Sequence, residues 1–411
     1  MSAFRSGILS TAVHGSGLAL RLGFLLALVH FTSPAVVGLY GLAVAIETVA
    51  VYLAGLEFHT FTARRYAPKP SPRRLRLLIH VHCRLLSFTA PLTGLVGVVA
   101  ASVLNLTSDA ASLAALAALL ISGAVAQEFG RYLVLAQRPV QSVVMGFLRA
   151  SAWQPATLPL LSNDVDTLRS LLWLWAGASI FAAAWGAWQL RLSLRTQARV
   201  PMRYVLIGLR QARAYYGIAT ASVLQSNLER FILQWMLGPA AVGIFSFFQT
   251  MSNTLSSLVQ AAVFNVALPN ILSRFGQRAP DRQAYLQQTM RRALQVSLLV
   301  SAATCAIAVP IMLLIGRQDY SQSLWMLPLL AIGQTLMIWT QPIHLALYAA
   351  RHDRLLIFMM GSALLVAILL DVLLISLLGV VGAVIAPVLV GAAISTARRI
   401  YSMRLTRLGT L

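Results

Sequence analysis

Apolar stretches of about 20 residues follow one another along almost the whole chain, and this feature limits the fold more than any other. Helices of this length match the thickness of a lipid bilayer. Charged residues make up only 10% of the chain and hydrophobic residues 58%, whereas a soluble domain carries about 25% charged residues. So few charges cannot cover such an apolar core in water. We therefore predict an all-α polytopic membrane protein.

About twelve transmembrane helices are predicted, and the charges of their connections set their orientation. Basic connections such as ARRYAPKPSPRRLR (63–76) and RLSLRTQARVPMRYVLIGLRQAR (191–213) alternate with short turns that are neutral or acidic. Cytoplasmic loops of membrane proteins carry an excess of Lys and Arg. We therefore expect the basic connections and both chain termini to lie in the cytoplasm. The predicted spans are 7–31, 36–62, 77–104, 111–135, 140–161, 168–190, 214–237, 241–269, 291–315, 322–347, 355–378 and 380–400.

The net charge of +21 follows mainly from these basic connections. Basic segments beside a membrane attract anionic lipids, so we expect anionic membrane lipids as partners and no nucleic acid. The predicted outer turns are short, and the sequence has no GxxxxGK[ST] phosphate-binding motif. We find no pattern for a catalytic, cofactor or metal site and expect a protein that is not an enzyme. A membrane enzyme of glycan assembly remains a less favoured alternative.

Two similar turns, SPAVVGLY (33–40) and GPAAVGIF (238–245), stand half a chain apart. Each would close the first helical hairpin of one half, with Pro at the start of the next helix, where a missing N–H costs little. Parallel repeats of this kind occur in transporters. We predict two six-helix lobes, 1–200 and 201–411, that form a parallel internal repeat. The alternative is a common turn that arose twice.

Polar residues inside the predicted spans are candidate binding residues, because placing them in lipid is costly. Arg21 lies near the middle of the first span and shares a helical face with His14. Arg230 lies in the seventh span. Arginine binds phosphate oxygens in a bidentate manner and stays charged in a low dielectric, so both arginines suit an anionic headgroup. The alternative for Arg21 is that its long side chain extends to the membrane–water interface and binds no substrate. The predicted substrate-binding residues are Arg21, Arg230, His14, Asn227, Gln234, Gln249, Asn253 and Gln260.

Three acidic residues inside the spans are candidates for ion coupling. These are Glu47 in the second span, Glu229 in the seventh and Asp371 in the eleventh. Ionisable residues at such depth usually face a cavity or a partner. A structural ion pair is an equally good interpretation of each of them.

The segment 227–271, NLERFILQWMLGPAAVGIFSFFQTMSNTLSSLVQAAVFNVALPNI, resembles the seventh and eighth spans of Wzx-type polysaccharide flippases of the MOP exporter superfamily. The shared features are an acid–arginine pair, a turn that ends in Gly before an aromatic residue, a closing proline and a basic end of the second span. The family often has Asp where this chain has Glu229. In this sequence the features are Glu229-Arg230, Gly243-Ile244-Phe245, Pro269, the repeated turn Gly38-Leu39-Tyr40, and ARRYA (63–67).

The resemblance implies two six-helix lobes around a cationic cavity in the bacterial cytoplasmic (inner) membrane. It also implies export of an undecaprenyl-diphosphate-linked oligosaccharide, as in O-antigen and other polysaccharide biosynthesis. A polysaccharide polymerase or assembly proteins would then be partners. The alternatives are a MATE-like cation-coupled antiporter of drugs or metabolites and, less favoured, a lipid II flippase.

Overall fold

The computed structural model describes residues 3–66, 71–162, 165–191, 202–277, 279–350 and 352–407. These residues form helices joined by turns, without a strand among them. The helices are α1 (Ala3–Phe31), α2 (Pro34–Gly55), α3 (Phe58–Tyr66), α4 (Pro72–Val103), α5 (Ala110–Leu135), α6 (Pro139–Ala150), α7 (Gln154–Thr157), α8 (Val165–Gln189), α9 (Met202–Gln225), α10 (Leu228–Leu237), α11 (Pro239–Val259), α12 (Asn265–Gly276), α13 (Arg282–Ile315), α14 (Gln318–Ser321), α15 (Met326–Ala349), α16 (Asp353–Leu378) and α17 (Val380–Arg407).

The predicted fold class, an all-α polytopic membrane protein, is confirmed. Each of the twelve predicted spans falls on helical structure, and nine segments of the described chain are long and apolar enough to cross a membrane. Large apolar side chains cover the outside of these helices. On α13, for example, Leu313 is 78% exposed and Leu314 is 85% exposed. Such a surface is suited to lipid rather than to water.

Three predicted spans are interrupted rather than continuous. The second ends at Gly55, because Leu56 and Glu57 adopt positive φ angles of 47° and 52°, which an α-helix cannot contain. The fifth span consists of α6, α7 and a 3₁₀ turn, and the seventh breaks between α9 and α10. The eighth span differs from these three because it stays helical throughout, passing from α11 through a π-helical segment, Gln260–Phe264, into α12.

The chain divides into two compact units, Met1–Val223 and Leu224–Leu411. The predicted boundary between residues 200 and 201 lies outside the described residues. The helix that follows it, α9, packs against the first unit, where Val205 is buried with Phe58 and Phe61. A side chain at Gly208 would overlap the ring of Phe58. The contacts therefore join most of α9 to the first unit.

In the first unit, α5 is the central helix and packs against α2, α4, α6 and α8. Asp109 fixes its start, because the carboxylate accepts hydrogen bonds from the backbone N–H groups of Ala111 and Ser112, as N-cap residues do. Further along α5, Tyr132 is fully buried in a core with Met145 of α6. The many neighbours of α5 make it the element that positions the polar residues of this unit.

In the second unit, glycines allow helices to approach closely, as they commonly do in membrane proteins. Gly333 of α15 and Gly391 of α17 face each other, and a Cβ on Gly391 would lie 3.1 Å from the carbonyl oxygen of Gly333. At the turn into α17, a Cβ on Gly382 would overlap the backbone carbonyl of Leu374 in α16. The turn can therefore be this tight only with glycine.

We expect Gly382→Ala to destabilise the second unit by about 1–3 kcal/mol or more, as overpacking against a fixed backbone does. Thermal unfolding of the purified protein in detergent measures the effect. Gly361→Ala on α16 is the matched control, because in the described structure its Cβ position has no atom within 4 Å apart from its chain neighbours and its own helix backbone. Equal melting temperatures for Gly382→Ala and the control would contradict the proposed packing.

Candidate substrate and ion sites

In the first unit, Arg21 of α1 is held by Ser151, which ends α6. The Arg21 Nε donates to Ser151 Oγ at 3.1 Å, and Ser151 Oγ donates to the carbonyl of Gly17 at 3.2 Å. Gly17 and Arg21 are four residues apart, so both face Ser151. Arg21 nevertheless remains exposed. It can therefore offer its terminal N–H groups to a ligand.

Close to Arg21, Glu47 of α2 forms an ion pair with Arg149 of α6. The Glu47 Oε1 lies 2.7 Å from Arg149 Nη1, while Arg149 Nη2 donates to Gln127 Oε1 of α5 at 3.0 Å. Gly123 of α5 leaves room for this pair, since a Cβ there would lie 3.3 Å from Glu47 Oε1. The carboxylate of Glu47 is therefore already neutralised by a neighbouring helix.

An aromatic cluster packs beside Arg21 along α1. The rings of Trp153 and Trp175 stack at 5.4 Å, and Phe24 meets Trp153 edge-on at the same distance. Tyr40 of α2 contacts the rings of Phe24 and both tryptophans. Offset-stacked and edge-to-face pairs of this kind add to the energy of burial. The cluster thus fixes α1 against α2 and α8, and with them the position of Arg21.

A second polar network of the first unit lies where α2 ends. Arg131 of α5 bonds to Glu128 at 2.7 Å, contacts His59 at 3.0 Å and lies 3.7 Å from Glu57. Glu128 is fully buried, and a Cβ on Gly55 would overlap its carboxylate. The left-handed turn at Leu56 and Glu57 brings Glu57 and His59 to this arginine. The positive charge of Arg131 is therefore compensated by two carboxylates within the unit.

In the second unit, Arg230 of α10 is buried together with its neighbours. Its Nη1 donates to Asn227 Oδ1 at 3.1 Å, and both residues are less than 10% exposed. Gln234, one turn further along α10, is also buried. The predicted polar face of the seventh span, formed by Asn227, Arg230 and Gln234, is therefore turned away from lipid.

Two buried carboxylates of the second unit interact electrostatically. Glu229 of α10 interacts electrostatically with Asp371 of α16, and Gln249 of α11 bonds to Glu229. Asp371 is only 1% exposed. Among the described residues, no hydrogen-bond donor reaches Glu229 Oε2, Asp371 Oδ1 or Gln249 Oε1. Like charges at short range oppose each other, so a proton or a hard cation with oxygen ligands would stabilise this group.

The remaining predicted residues are spread more widely. Asn253 of α11 accepts a bond of 2.9 Å from Gln334 Nε2 of α15, whose Oε1 accepts from Ser256. Gln260 begins the π-helical segment and is exposed, and His14 of α1 is exposed as well. The structure thus groups Arg21 with the Glu47 pair in one unit. It groups Glu229, Arg230, Gln249 and Asp371 in the other.

Sequence reasoning missed several residues that hold these groups in place. The position of Arg149, near the middle of the predicted span 140–161, could have identified it as an intramembrane charge. Gln127 and Gln334 are neutral, and only the packing of α5 and α15 shows what they bind. Ser151 gave no signal, because serine is common in membrane helices.

Solved structures of known transporters resemble the whole chain. An inward-facing multidrug resistance MATE family transporter of the MOP superfamily matches with a TM-score of 0.68 and 14% identity, over 98% of both chains. The lipid II flippase MurJ, in an inward closed conformation, matches with a TM-score of 0.75 and 10% identity, over 97% of this chain and 87% of MurJ. A mutant of the MATE transporter VcmN of Vibrio cholerae gives a TM-score of 0.59 and 14% identity, over 98% and 96% of the two chains.

No family model matches the sequence, and no curated protein matches it either. Identities of 10–14% establish the fold and leave the transported substrate open. The chain is therefore a multi-pass membrane protein with the fold of the MATE transporters and MurJ.

Proposed function

We propose that this protein is a flippase for undecaprenyl-diphosphate-linked oligosaccharide. It would move the headgroup from the cytoplasmic to the outer leaflet of the bacterial cytoplasmic membrane by alternating access. The carrying observation is that each unit holds an arginine with a polar partner among its apolar helices, exposed in the first unit and buried in the second. Arg21 donates a hydrogen bond to Ser151 in the first unit, and Arg230 donates one to Asn227 in the second.

Arginine suits this substrate chemically. Its planar guanidinium forms charge-assisted, often bidentate hydrogen bonds with phosphate oxygens. In the first unit the carboxylate of Glu47 is already paired with Arg149, which lowers its competition with a phosphate for Arg21. Among the three acidic candidates for ion coupling, we therefore favour Glu229 and Asp371 over Glu47, whose carboxylate is already paired with Arg149.

The similarities of the fold to MurJ and of the segment 227–271 to Wzx-type flippases both support a lipid-linked glycan as the substrate. MurJ, with a TM-score of 0.75, is named a lipid II flippase, and the segment 227–271 resembles Wzx-type flippases. An inside-negative potential would favour outward movement of an anionic headgroup by about 2.3 kcal/mol per charge per 100 mV. Such export would supply O-antigen or another surface polysaccharide, with a polymerase or assembly proteins receiving the product.

A MATE-like cation-coupled antiporter is the second candidate. The buried pair of Glu229 and Asp371, with acceptor oxygens that lack donors in the described structure, favours cation binding in the second unit. The fold is also that of a multidrug resistance MATE transporter. The charge of the substrate separates the two candidates, since a drug exporter would select cations and the flippase an anion.

We expect Arg21→Ala and Arg230→Ala to reduce flipping to below about a tenth of wild type, because a lost charge-assisted bond costs about 1.5–3 kcal/mol. The measurement is complementation of a deletion strain. Lipid-linked oligosaccharide should accumulate on the cytoplasmic side and be cleared by the wild type but not by these variants. Arg21→Lys should recover only part of the activity, because lysine lacks the guanidinium fork.

The matched control is Arg292→Ala, which removes an exposed arginine from α13 and should complement like the wild type. All variants must show wild-type expression and melting temperature. Normal glycan export by both the Arg21→Ala and the Arg230→Ala variants would overturn the proposal. Accumulation of cationic drugs in the deletion strain, with normal surface glycan, would support the antiporter.

We expect Glu229→Gln and Asp371→Asn to abolish the stimulation of transport by an imposed H⁺ or Na⁺ gradient, since each removes one of the paired carboxylates. The ratio of transport with and without the gradient in proteoliposomes measures this. Asp319→Asn, an exposed acid on α14, should keep the wild-type ratio. Undiminished stimulation in both carboxylate variants would exclude this pair as the coupling site.

A further inference from the structure

A basic cavity lies at the end of the first unit where α5 and α8 finish and α4 begins. Its larger part has a volume of about 680 Å³. A smaller part of about 300 Å³ adjoins it and shares three of its residues. The residues that matter to its chemistry are Arg76, Arg138, Arg191, Gln141, Gln189 and Trp188.

Three guanidinium groups border this cavity without a carboxylate among its described lining residues. Arg138 is fixed at the centre, because its Nη1 donates to the backbone carbonyl of Gln189 at 2.7 Å. A guanidinium carries five N–H donors, so this bond leaves donors of Arg138 for a ligand. The amide groups of Gln141 and Gln189 add neutral polar partners. The cavity thus offers positive charge and hydrogen-bond donors that an anion would satisfy.

The position of the cavity indicates what kind of anion can reach it. Trp188 is 71% exposed at its edge, and exposed tryptophan is enriched at the level of lipid headgroups. Arg76 and Arg191 belong to the basic connections 63–76 and 191–213, and Arg138 to the short basic connection AQRPVQ (136–141), all of which the charge rule places on the cytoplasmic side. A ligand here would hold its anionic group against the arginines and its apolar part beside the indole.

We propose that this cavity binds the phosphodiester headgroup of an anionic phospholipid from the cytoplasmic leaflet. Guanidinium groups match the geometry of phosphate oxygens, and the neighbouring tryptophan matches the apolar part of the lipid. The site lies within the first unit and contains neither Arg21 nor Glu47. It is independent of the flippase proposal, and either can fail while the other holds.

The test measures the binding of phosphatidylglycerol to the purified full-length protein by native mass spectrometry. The variant is Arg76→Gln/Arg191→Gln, which leaves the bond from Arg138 to Gln189 in place. We expect the affinity for phosphatidylglycerol to fall about 30-fold, since each arginine near an anionic surface contributes about 1 kcal/mol. Binding of phosphatidylcholine should stay unchanged, because this lipid carries no net charge.

The matched control is Arg291→Gln/Arg292→Gln, which removes the same charge from two exposed positions on α13. It should bind phosphatidylglycerol like the wild type, and both double variants should melt like the wild type in phosphatidylcholine. An equal loss of binding in the two double variants would overturn the site. Inorganic phosphate that binds with the same dependence on Arg76 and Arg191 would overturn the lipid as its ligand.

Discussion

Polar and charged groups of this protein must find partners within the protein, because the bilayer core supplies none. Several buried charges of the first unit are accordingly met from a neighbouring helix or turn. Glu47 of α2 meets Arg149 of α6, and Arg131 of α5 meets Glu57 after the turn that ends α2. Unpaired charges at this depth cost several kcal/mol. Helix packing in each unit is therefore linked to the pairing of a few polar side chains.

This constraint also explains where function is concentrated. In the first unit Glu47 is paired with Arg149 and Glu128 with Arg131, whereas Arg21 is bonded to a serine and remains exposed. In the second unit, Glu229 and Asp371 lie together with acceptor oxygens that no donor reaches in the described structure. Groups left without full compensation are the ones that can gain from binding a substrate or an ion.

Much of the architecture could be predicted, because a bilayer imposes simple rules on length and charge. The twelve apolar stretches, the scarcity of charged residues and the helical fold agree with the structure. The interruptions after Gly55 and around Asn227 were not predicted. Leucine rarely adopts the left-handed conformation of Leu56, so the sequence does not signal the first one. The second falls at Ser226 and Asn227, and two polar residues in a row do not by themselves indicate that a helix breaks. The same holds for Gly382, where only the approach of α16 shows why a side chain cannot fit.

The sequence by itself determined that this chain spans a membrane and that it is helical, and it predicted Arg21, Glu229, Arg230 and Asp371 as polar residues within the spans. It could do so because hydrophobicity and helical periodicity are local properties. Only the tertiary structure decided that Glu47 is paired with Arg149 and that Glu229 interacts electrostatically with Asp371. These pairs join helices far apart in the chain, and their partners depend on how α2, α6, α10 and α16 pack.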